Sequence, residues 1–199
     1  MRPLRPLLVA LALALTAAPA FAQQAYRSNT GPYGADFSGV ELGADLGLGL
    51  GSAGGSYTSG PAAGLHIGYN FQANSVVGGV EADALGGSIS NGGGAFSYSQ
   101  DFLSSLRAKG GYAFGDILGY GTIGFGWATT RYQDLSGNAD STVKGVVYGL
   151  GAEYALTRNV SIRGEVIRYD FGAATYNTPS AAGISSSTNM VRIGASVHF

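Results

Sequence analysis

Residues 40–50, with the sequence VELGADLGLGL, decide the fold class of this chain. The even positions hold Val, Leu or Ala, and the odd positions hold Glu, Asp or Gly. Side chains of a β-strand alternate between its two faces, so this period of two predicts a strand with one apolar and one polar face. The charges lie on one parity only, which makes the two faces chemically distinct.

The same alternation returns along the rest of the chain. Apolar residues favour one parity and glycines or polar residues the other in residues 63–72, 76–84, 106–114, 146–154, 160–166 and 191–199. Residues 117–128 carry no charge and place Ile123, Phe125 and Trp127 on one parity. Together with residues 40–50, these segments predict eight strands.

The predicted connections alternate between short and long. The short ones are residues 73–75, 115–116 and 157–159, and the long ones are residues 51–61, 87–101, 130–142 and 173–188. Strands joined in this way form an antiparallel meander, and outer-membrane barrels have such short periplasmic turns and long outer loops. The predicted fold class is all-β, an eight-stranded antiparallel up-and-down transmembrane β-barrel.

The overall composition narrows the class of protein. Gly contributes 34 of 199 residues, and 12% of residues are charged, against about 25% in ordinary soluble proteins. A hydrophobic content of 45% argues against a disordered chain, and a net charge of −1 offers no basic surface for nucleic acid. Because the chain has no Cys, disulfides, thiol catalysis and Cys-based zinc sites are excluded.

Residues 1–22 have the organisation of a secretory signal peptide. Two arginines precede an apolar stretch, and residues 20–22, AFA, provide a small-x-small cleavage site before Gln23. An N-terminal membrane anchor is the alternative, although the apolar stretch is shorter than the ~20 residues of a spanning helix. We predict a signal peptide, a short periplasmic N-terminal segment over residues 23–36 and a barrel domain over residues 37–199.

The charges on the polar parity indicate which face of the barrel meets water. A soluble eight-stranded barrel also alternates, but its polar face points outward. Here that parity holds only six acidic and five basic residues among many glycines, a poor surface for contact with water. We predict that these side chains fill the lumen and neutralise one another, while the apolar parity faces lipid. The interior charge network consists of Glu41, Asp45, Glu81, Asp83, Arg107, Lys109, Lys144, Glu153, Arg163, Glu165 and Arg192.

Aromatic residues fall near the predicted strand ends, where two interfacial girdles are expected. At the end with the short turns these are Phe37, Tyr69, Phe71, Tyr112, Phe114, Tyr154 and Phe199. At the other end they are Phe102, Trp127, Tyr132, Tyr169 and Phe171.

Arg168 falls on the apolar parity at the end of its strand, from where its long side chain can reach the membrane rim.

Several motifs, in order along the chain, resemble the small porin-like outer-membrane barrel surface antigens of Gram-negative bacteria, which include OmpA-like and opacity-type barrels. The motifs are FSGVELG at 37–43, GYNFQ at 68–72, VGGVEAD at 77–83, SLRAKGGYAF at 105–114, GLGAEYALT at 149–157, YDFG at 169–172 and VRIGASVHF at 191–199. The resemblance implies a location in the outer membrane, surrounded by its lipid. It also implies that the barrel-assembly machinery recognises the C-terminal strand, through an assembly signal of Ala195, Val197 and Phe199.

Motifs with catalytic or ligand-binding potential are sparse. Residues 49–54, GLGSAG, match G-x-G-x-x-G, but no helix follows them and a glycine-rich chain produces such matches by chance. His66 and His198 are the two histidines, and both fall on the inward parity. Hydrogen bonding in the lumen is therefore favoured over a nucleophilic triad or a two-histidine metal site. We predict no catalytic residue, no cofactor and no metal.

The sequence favours one function and leaves others open. The main hypothesis is a structural outer-membrane barrel that supports envelope integrity and displays surface loops, with no catalysis and little or no conductance. An adhesin or small-ligand-binding barrel would act through the four long loops. The remaining alternatives are a barrel enzyme acting on lipid through His66 or His198, and a soluble periplasmic ligand carrier.

A closed barrel is expected to resist SDS until it is heated. We predict that the protein in purified outer membranes migrates differently on a gel with and without boiling, because an unheated barrel keeps its closed backbone pairing. Identical mobility in both samples would contradict a transmembrane barrel.

Overall fold

The computed structural model describes residues 35–53, 56–90, 97–134, 137–174 and 184–199. These residues form eight strands, which are β1 (Gly39–Ala53), β2 (Ser56–Ala73), β3 (Val76–Ser90), β4 (Ser97–Phe114), β5 (Ile117–Asp134), β6 (Gly137–Ala155), β7 (Val160–Ala174) and β8 (Ile184–His198). Each strand pairs antiparallel with the next, and β8 pairs with β1, so the sheet closes into a barrel. The predicted fold class is confirmed.

Helices play no part in the described architecture. Among the residues that the structure describes, no helix has the length and hydrophobicity that crossing a membrane requires.

The three short turns lie where the sequence predicts them. They join β2 to β3, β4 to β5 and β6 to β7, and they share one end of the barrel with Phe199, so this is called the short-turn end. Two turn residues adopt the left-handed backbone region, Asn74 with φ 56° and Gly115 with φ 66°. Asn and Gly are the residue types that enter this region at least cost.

The long connections differ from the prediction. Much of each one continues as paired strand, so β5 and β6 stay in register from Ile117↔Tyr154 to Asp134↔Gly137. A strand of 15 residues tilted by about 40° rises roughly 40 Å, which exceeds the ~25 Å apolar band of an outer-membrane barrel. The strands therefore extend beyond that band as paired hairpins, and the opposite end is called the hairpin end.

The outer wall of the barrel is apolar. Leu46 and Ile193 face each other across β1 and β8 and are 63% and 65% exposed. Five aromatic residues point outward at the short-turn end, as an interfacial girdle requires, namely Tyr69, Phe71, Tyr112, Phe114 and Tyr154. Phe102 and Trp127 lie outward near the other end, whereas the side chain of Tyr132 lies outside the described part of the chain.

Three of the predicted girdle residues point into the barrel instead. Phe37 is buried, because residues 35–38 lie across the opening at the short-turn end and the Ala35 amide donates to the Gly115 carbonyl at 3.1 Å. Tyr169 and Phe171 are buried in the lumen and stack with ring centroids 6.0 Å apart. They share their parity on β7 with the inward residues Arg163 and Glu165. The prediction that they face lipid is wrong because it used their place near the strand end and not their parity.

The lumen is filled in three layers. The lower apolar layer, at the short-turn end, contains Ala35, Phe37, Val77, Ala113, Leu118 and Tyr120. The upper apolar layer, toward the hairpin end, contains Ala62, Leu85, Ile89, Leu103, Ala128, Val143, Val147, Ile167, Tyr169, Phe171 and Met190. The polar layer between them holds the buried charged side chains. Charges are thus enclosed between two apolar seals.

Inward glycines provide the space for the largest inward side chains. A Cβ added to Gly43 would collide with Cε1 of His66 and with the Ala195 carbonyl oxygen. Gly151 gives similar room to the ring of Tyr120. The outward Gly86 is unconstrained, since a Cβ added to it meets nothing within 4 Å, whereas a Cβ added to the outward Gly78 would collide with the ring of Phe71.

Substitution of one inward and one outward glycine tests this packing. Gly43→Ala should lower the free energy of unfolding by about 1–3 kcal/mol, because the methyl group must displace His66 or the backbone of β8. Gly86→Ala is the matched control and should change it by less than about 0.5 kcal/mol. Urea unfolding in phospholipid bilayers, followed by the fluorescence of Trp127, gives both values. Equal effects of the two substitutions would contradict the packing described.

Candidate functional site

Ten of the eleven residues predicted for the interior charge network are buried in the polar layer. They are Glu41, Asp45, Glu81, Asp83, Arg107, Lys109, Glu153, Arg163, Glu165 and Arg192. Six strands supply them, and β2 and β5 add His66, Asn70, Thr122 and the hydroxyl group of Tyr120, whose ring lies in the lower apolar layer. Alternation along every strand turns these side chains toward one another, so all eight strands contribute to the same cluster.

The prediction for Lys144 is wrong. Lys144 is exposed on the outer wall and pairs in register with Trp127. It shares its parity on β6 with the outward residue Val146, while its neighbour Val143 points inward. The sequence prediction placed Lys144 in the lumen because its side chain is charged, but its parity on β6 places it on the outer wall.

Glu81 is the centre of the network. Its carboxylate accepts hydrogen bonds from Arg107, from Nη1 of Arg163 at 2.6 Å and from Nη2 of Arg192 at 3.2 Å. The three arginines come from β4, β7 and β8, so one carboxylate links strands across the lumen. A second acid, Glu165, pairs with Nε of Arg192.

The remaining acids hold the other cations in place. Arg163 donates to Asp45 through Nε at 3.1 Å and Nη2 at 3.0 Å, a bidentate pair. Lys109 donates to Oε2 of Glu41 at 2.9 Å, and its ammonium lies 4.9 Å from the centre of the Tyr120 ring. Such charge-assisted hydrogen bonds offset the cost of removing the groups from water.

His66 lies between an acid and a serine. Its Nδ1 is 2.8 Å from Oδ2 of Asp45, and its Nε2 is 2.9 Å from Oγ of Ser196. The order Asp, His, Ser is that of a nucleophilic triad, but Ser196 also donates to Glu41 at 3.0 Å. Exposure of Asp45, His66 and Ser196 is only 2%, 1% and 1%. The group forms a closed hydrogen-bond chain within the polar layer.

His198 lies nearer the short-turn end. Its Nε2 contacts both Oγ of Ser161, at 3.0 Å, and Oε1 of Glu153, at 2.9 Å, so one nitrogen serves both partners and no triad order results. Among the described residues, Glu41, Glu153 and His198 place ligand atoms within 4.8 Å of one another, close enough to hold a metal ion. The Lys109 ammonium is 2.9 Å from Glu41 and 3.9 Å from Glu153, so it already supplies positive charge to this group.

The sequence predicted His66 and His198 in the lumen, but it did not identify the serine, threonine, asparagine and tyrosine members of the polar layer or either apolar layer. Ser105 donates to Asp83 at 2.6 Å, and Tyr120 donates to Glu165 at 2.9 Å. Both residues lie on the inward parity of their strands, so the same alternation that located the charges could have found them. The upper apolar layer lies where residues of both parities are apolar, as at Ala84 and Leu85, and the contrast between faces is lost there.

Two lysine substitutions distinguish the lumen from the outer wall. Lys109→Met should lower the free energy of unfolding by about 3–5 kcal/mol, because Glu41 loses the nearer of its two buried cations, Lys109 at 2.9 Å and Arg163 at 3.5 Å. Lys144→Met should change it by less than about 1 kcal/mol, because the removed charge lies near the membrane rim. Urea unfolding in bilayers measures both. A smaller loss for Lys109→Met than for Lys144→Met would show that the two assignments are reversed.

Two outer-membrane proteins are similar to this chain in sequence. The 22 kDa outer membrane protein of Rhizobium leguminosarum bv. viciae is 30% identical over an alignment of 138 positions, which covers 68% of this chain and 64% of that protein. The 31 kDa outer-membrane immunogenic protein of Brucella melitensis biotype 1 is 30% identical over an alignment of 156 positions, which covers 68% of this chain and 65% of that protein. The chain therefore spans slightly less than two thirds of the length of these curated relatives.

Two solved structures share the fold. The attachment invasion locus protein Ail of Yersinia pestis matches with a TM-score of 0.55 and 13% identity, over 82% of this chain and 100% of that protein. Neisserial surface protein A, NspA, matches with a TM-score of 0.59 and 17% identity, over 81% and 98%. Both are eight-stranded outer-membrane barrels.

The family model described as outer membrane protein beta-barrel domain matches residues 8–199, most of the chain. The sequence relatives are outer-membrane proteins, and the outer membrane is the location of this protein too. This location excludes the soluble carrier that the alternation alone left open. The match of the family model, the sequence relatives and the closed eight-stranded barrel agree, and the chain belongs to the outer membrane protein beta-barrel domain family.

Proposed function

We propose that this protein is a non-catalytic structural barrel that supports the integrity of the outer membrane, displays surface hairpins and conducts little or nothing. The filled lumen carries this proposal. An eight-stranded barrel is just wide enough for side chains to fill, and here charged side chains fill its middle while apolar side chains fill both ends. A hydrated ion entering this lumen would have to displace packed apolar groups at each end.

The seal at the short-turn end supports the absence of conductance. Gln72 accepts a hydrogen bond from the Phe37 amide at 2.8 Å and donates to the Ala35 carbonyl at 3.3 Å. Phe37 then lies edge-on to His198, with ring centroids 6.4 Å apart. The segment preceding β1 is thereby fastened across the opening that, in outer-membrane barrels, faces the periplasm.

The burial of both histidines supports the absence of catalysis. A reactive serine must be reachable by substrate and must face donors for an oxyanion. Ser196 and Ser161 lie beside His66 and His198, but both serines are 1% exposed. Their hydroxyls instead donate to Glu41 and Glu153. These contacts favour a stabilising role for the two histidines over chemistry on lipid.

The C-terminal strand supports recognition by the barrel-assembly machinery, which we propose as a partner. Val40 and Phe199 exchange backbone hydrogen bonds of 3.2 and 2.9 Å, so the last residue completes the seam between β1 and β8. Ala195 and Val197 lie on the outward parity of β8 and Phe199 is half-buried. An apolar strand edge that ends in an aromatic residue is available to a partner until that seam closes.

Electrical recording in planar lipid bilayers tests the closed lumen. The purified barrel should give no stable open-channel current, because both apolar layers block water and ions. A larger porin of established conductance in the same bilayer serves as the positive control. Steady channels from the intact protein would overturn the proposal, provided that the heated and unheated gel mobilities show a folded barrel.

Binding through the surface hairpins is the second candidate function. The paired strands extend beyond the apolar band, and Tyr57 on the β1–β2 hairpin is 91% exposed. Ail, which shares the fold, is named for attachment. Attachment of the protein to host cells is therefore the activity to measure. Replacing the segments between β3 and β4 and between β7 and β8 with short Gly-Ser turns should abolish attachment and leave membrane insertion intact. Unchanged attachment to host cells would exclude this function.

A further inference from the structure

We propose that the outer wall of β4–β7 holds one phosphorylated lipid of the outer leaflet, with an acyl chain in a groove over two glycines and its phosphate at Arg168. The proposal concerns a surface that the structural role does not require. It rests on the shape of the wall, on a cation that faces lipid and on the place of that cation at the end of the groove.

The groove is formed by two glycines that face each other across neighbouring strands. Gly110 on β4 and Gly121 on β5 are paired in register. A Cβ added to Gly110 meets nothing within 4 Å, and one added to Gly121 makes only ordinary contacts, with Leu150 at 3.6 Å and the Gly149 carbonyl oxygen at 3.8 Å. The wall therefore recedes here, and the groove has a volume of about 680 Å³.

Large apolar side chains stand around the two glycines. Ile123, Leu150 and Val166 border the groove and are strongly exposed on the outer wall. A flexible chain seated between them gains contacts on both sides as well as below, which a flat wall would not offer.

Arg168 lies at the end of this groove that points toward the hairpins. It is the next outward residue after Val166 on β7, and it pairs in register with Tyr148 and Asn189. Arg168 is half-buried, and its Nη1 donates to Oδ1 of Asn189 at 3.3 Å. A charged side chain facing lipid is costly and marks a functional site by default.

The local charge favours an anion. The other charged outward residues of β6 and β7 near Arg168 with described side chains are Lys144 and Asp170, both exposed. With Arg168 they carry a net charge of +1. The guanidinium of Arg168 matches the geometry of a phosphate, and the Asn189 amide group offers further donors.

The orientation of the barrel selects the leaflet. In outer-membrane barrels the long hairpins face the cell exterior, so Arg168 lies on the side of the outer leaflet. A lipid of that leaflet places its headgroup toward the hairpin end and its chains toward the middle of the membrane. This direction is the one in which the groove extends from Arg168 to the glycine pair.

Native mass spectrometry of the detergent-solubilised full barrel tests the proposal. The probes are bisphosphorylated lipid A and the same glycolipid after removal of its phosphates. The intact barrel should retain the phosphorylated probe more strongly. Arg168→Gln should weaken that binding about fivefold and abolish the preference for phosphate. Asp170→Asn should strengthen it, because it removes the neighbouring negative charge.

The groove is tested by filling it. Gly110→Leu should weaken binding of both probes, because its side chain occupies the space of the acyl chain. Gly86→Leu is the matched control, since it also adds a leucine at an unconstrained outward glycine, but on β3 away from the groove. Arg158→Gln, in the turn between β6 and β7 at the opposite end, is the control for loss of one positive charge.

Equal binding of the two probes by the intact barrel would overturn the proposal, as would undiminished binding by Arg168→Gln. Gel mobility with and without heating shows whether each variant is folded. If Arg168→Gln does not fold, Asp170→Asn and Gly110→Leu decide, and unchanged binding by both would overturn the proposal as well.

Discussion

The burial of ten charged side chains inside a narrow barrel is the constraint on which the rest of this structure depends. A buried charge without partners is far more costly than any single packing defect, so every strand must arrive in the register that brings acids to bases. Glu81 illustrates this, because its carboxylate is shared by arginines of three strands. A slip of one residue in any of these strands would send its arginine into lipid and remove one partner of that carboxylate.

The two apolar layers follow from the same constraint. Ion pairs weaken when water reaches them, because water screens the charges. The lower and upper apolar layers keep bulk water away from both sides of the network, and Phe37 and Phe171 are among their buried members. In a soluble protein, charged side chains face water and apolar side chains fill the core. Here the apolar outer wall contacts lipid, and the charges lie in a compartment that apolar groups close at both ends.

Alternation predicted the strands, their order and most of the charge network, since a period of two is a direct consequence of backbone geometry. It failed where residue chemistry was used in place of parity. Lys144 was assigned inward because it is charged, although it shares its parity with Val146.

The extended hairpins were predicted as loops because Ser, Thr and Gly dominate them, yet backbone pairing along β5 and β6 continues through such residues. No sequence pattern distinguishes Glu81 as the shared carboxylate, because that depends on three-dimensional convergence.

The short segment ahead of β1 has a consequence for how the barrel is completed. Phe37 lies in the segment that precedes β1, and the ring that it packs against, His198, belongs to the last strand. Val40 and Phe199 are bonded at the same place. The seal of the lumen and the join between the ends of the sheet thus depend on the same residues, and a chain truncated at its final residues would lose the support of Phe37 together with the β1–β8 seam.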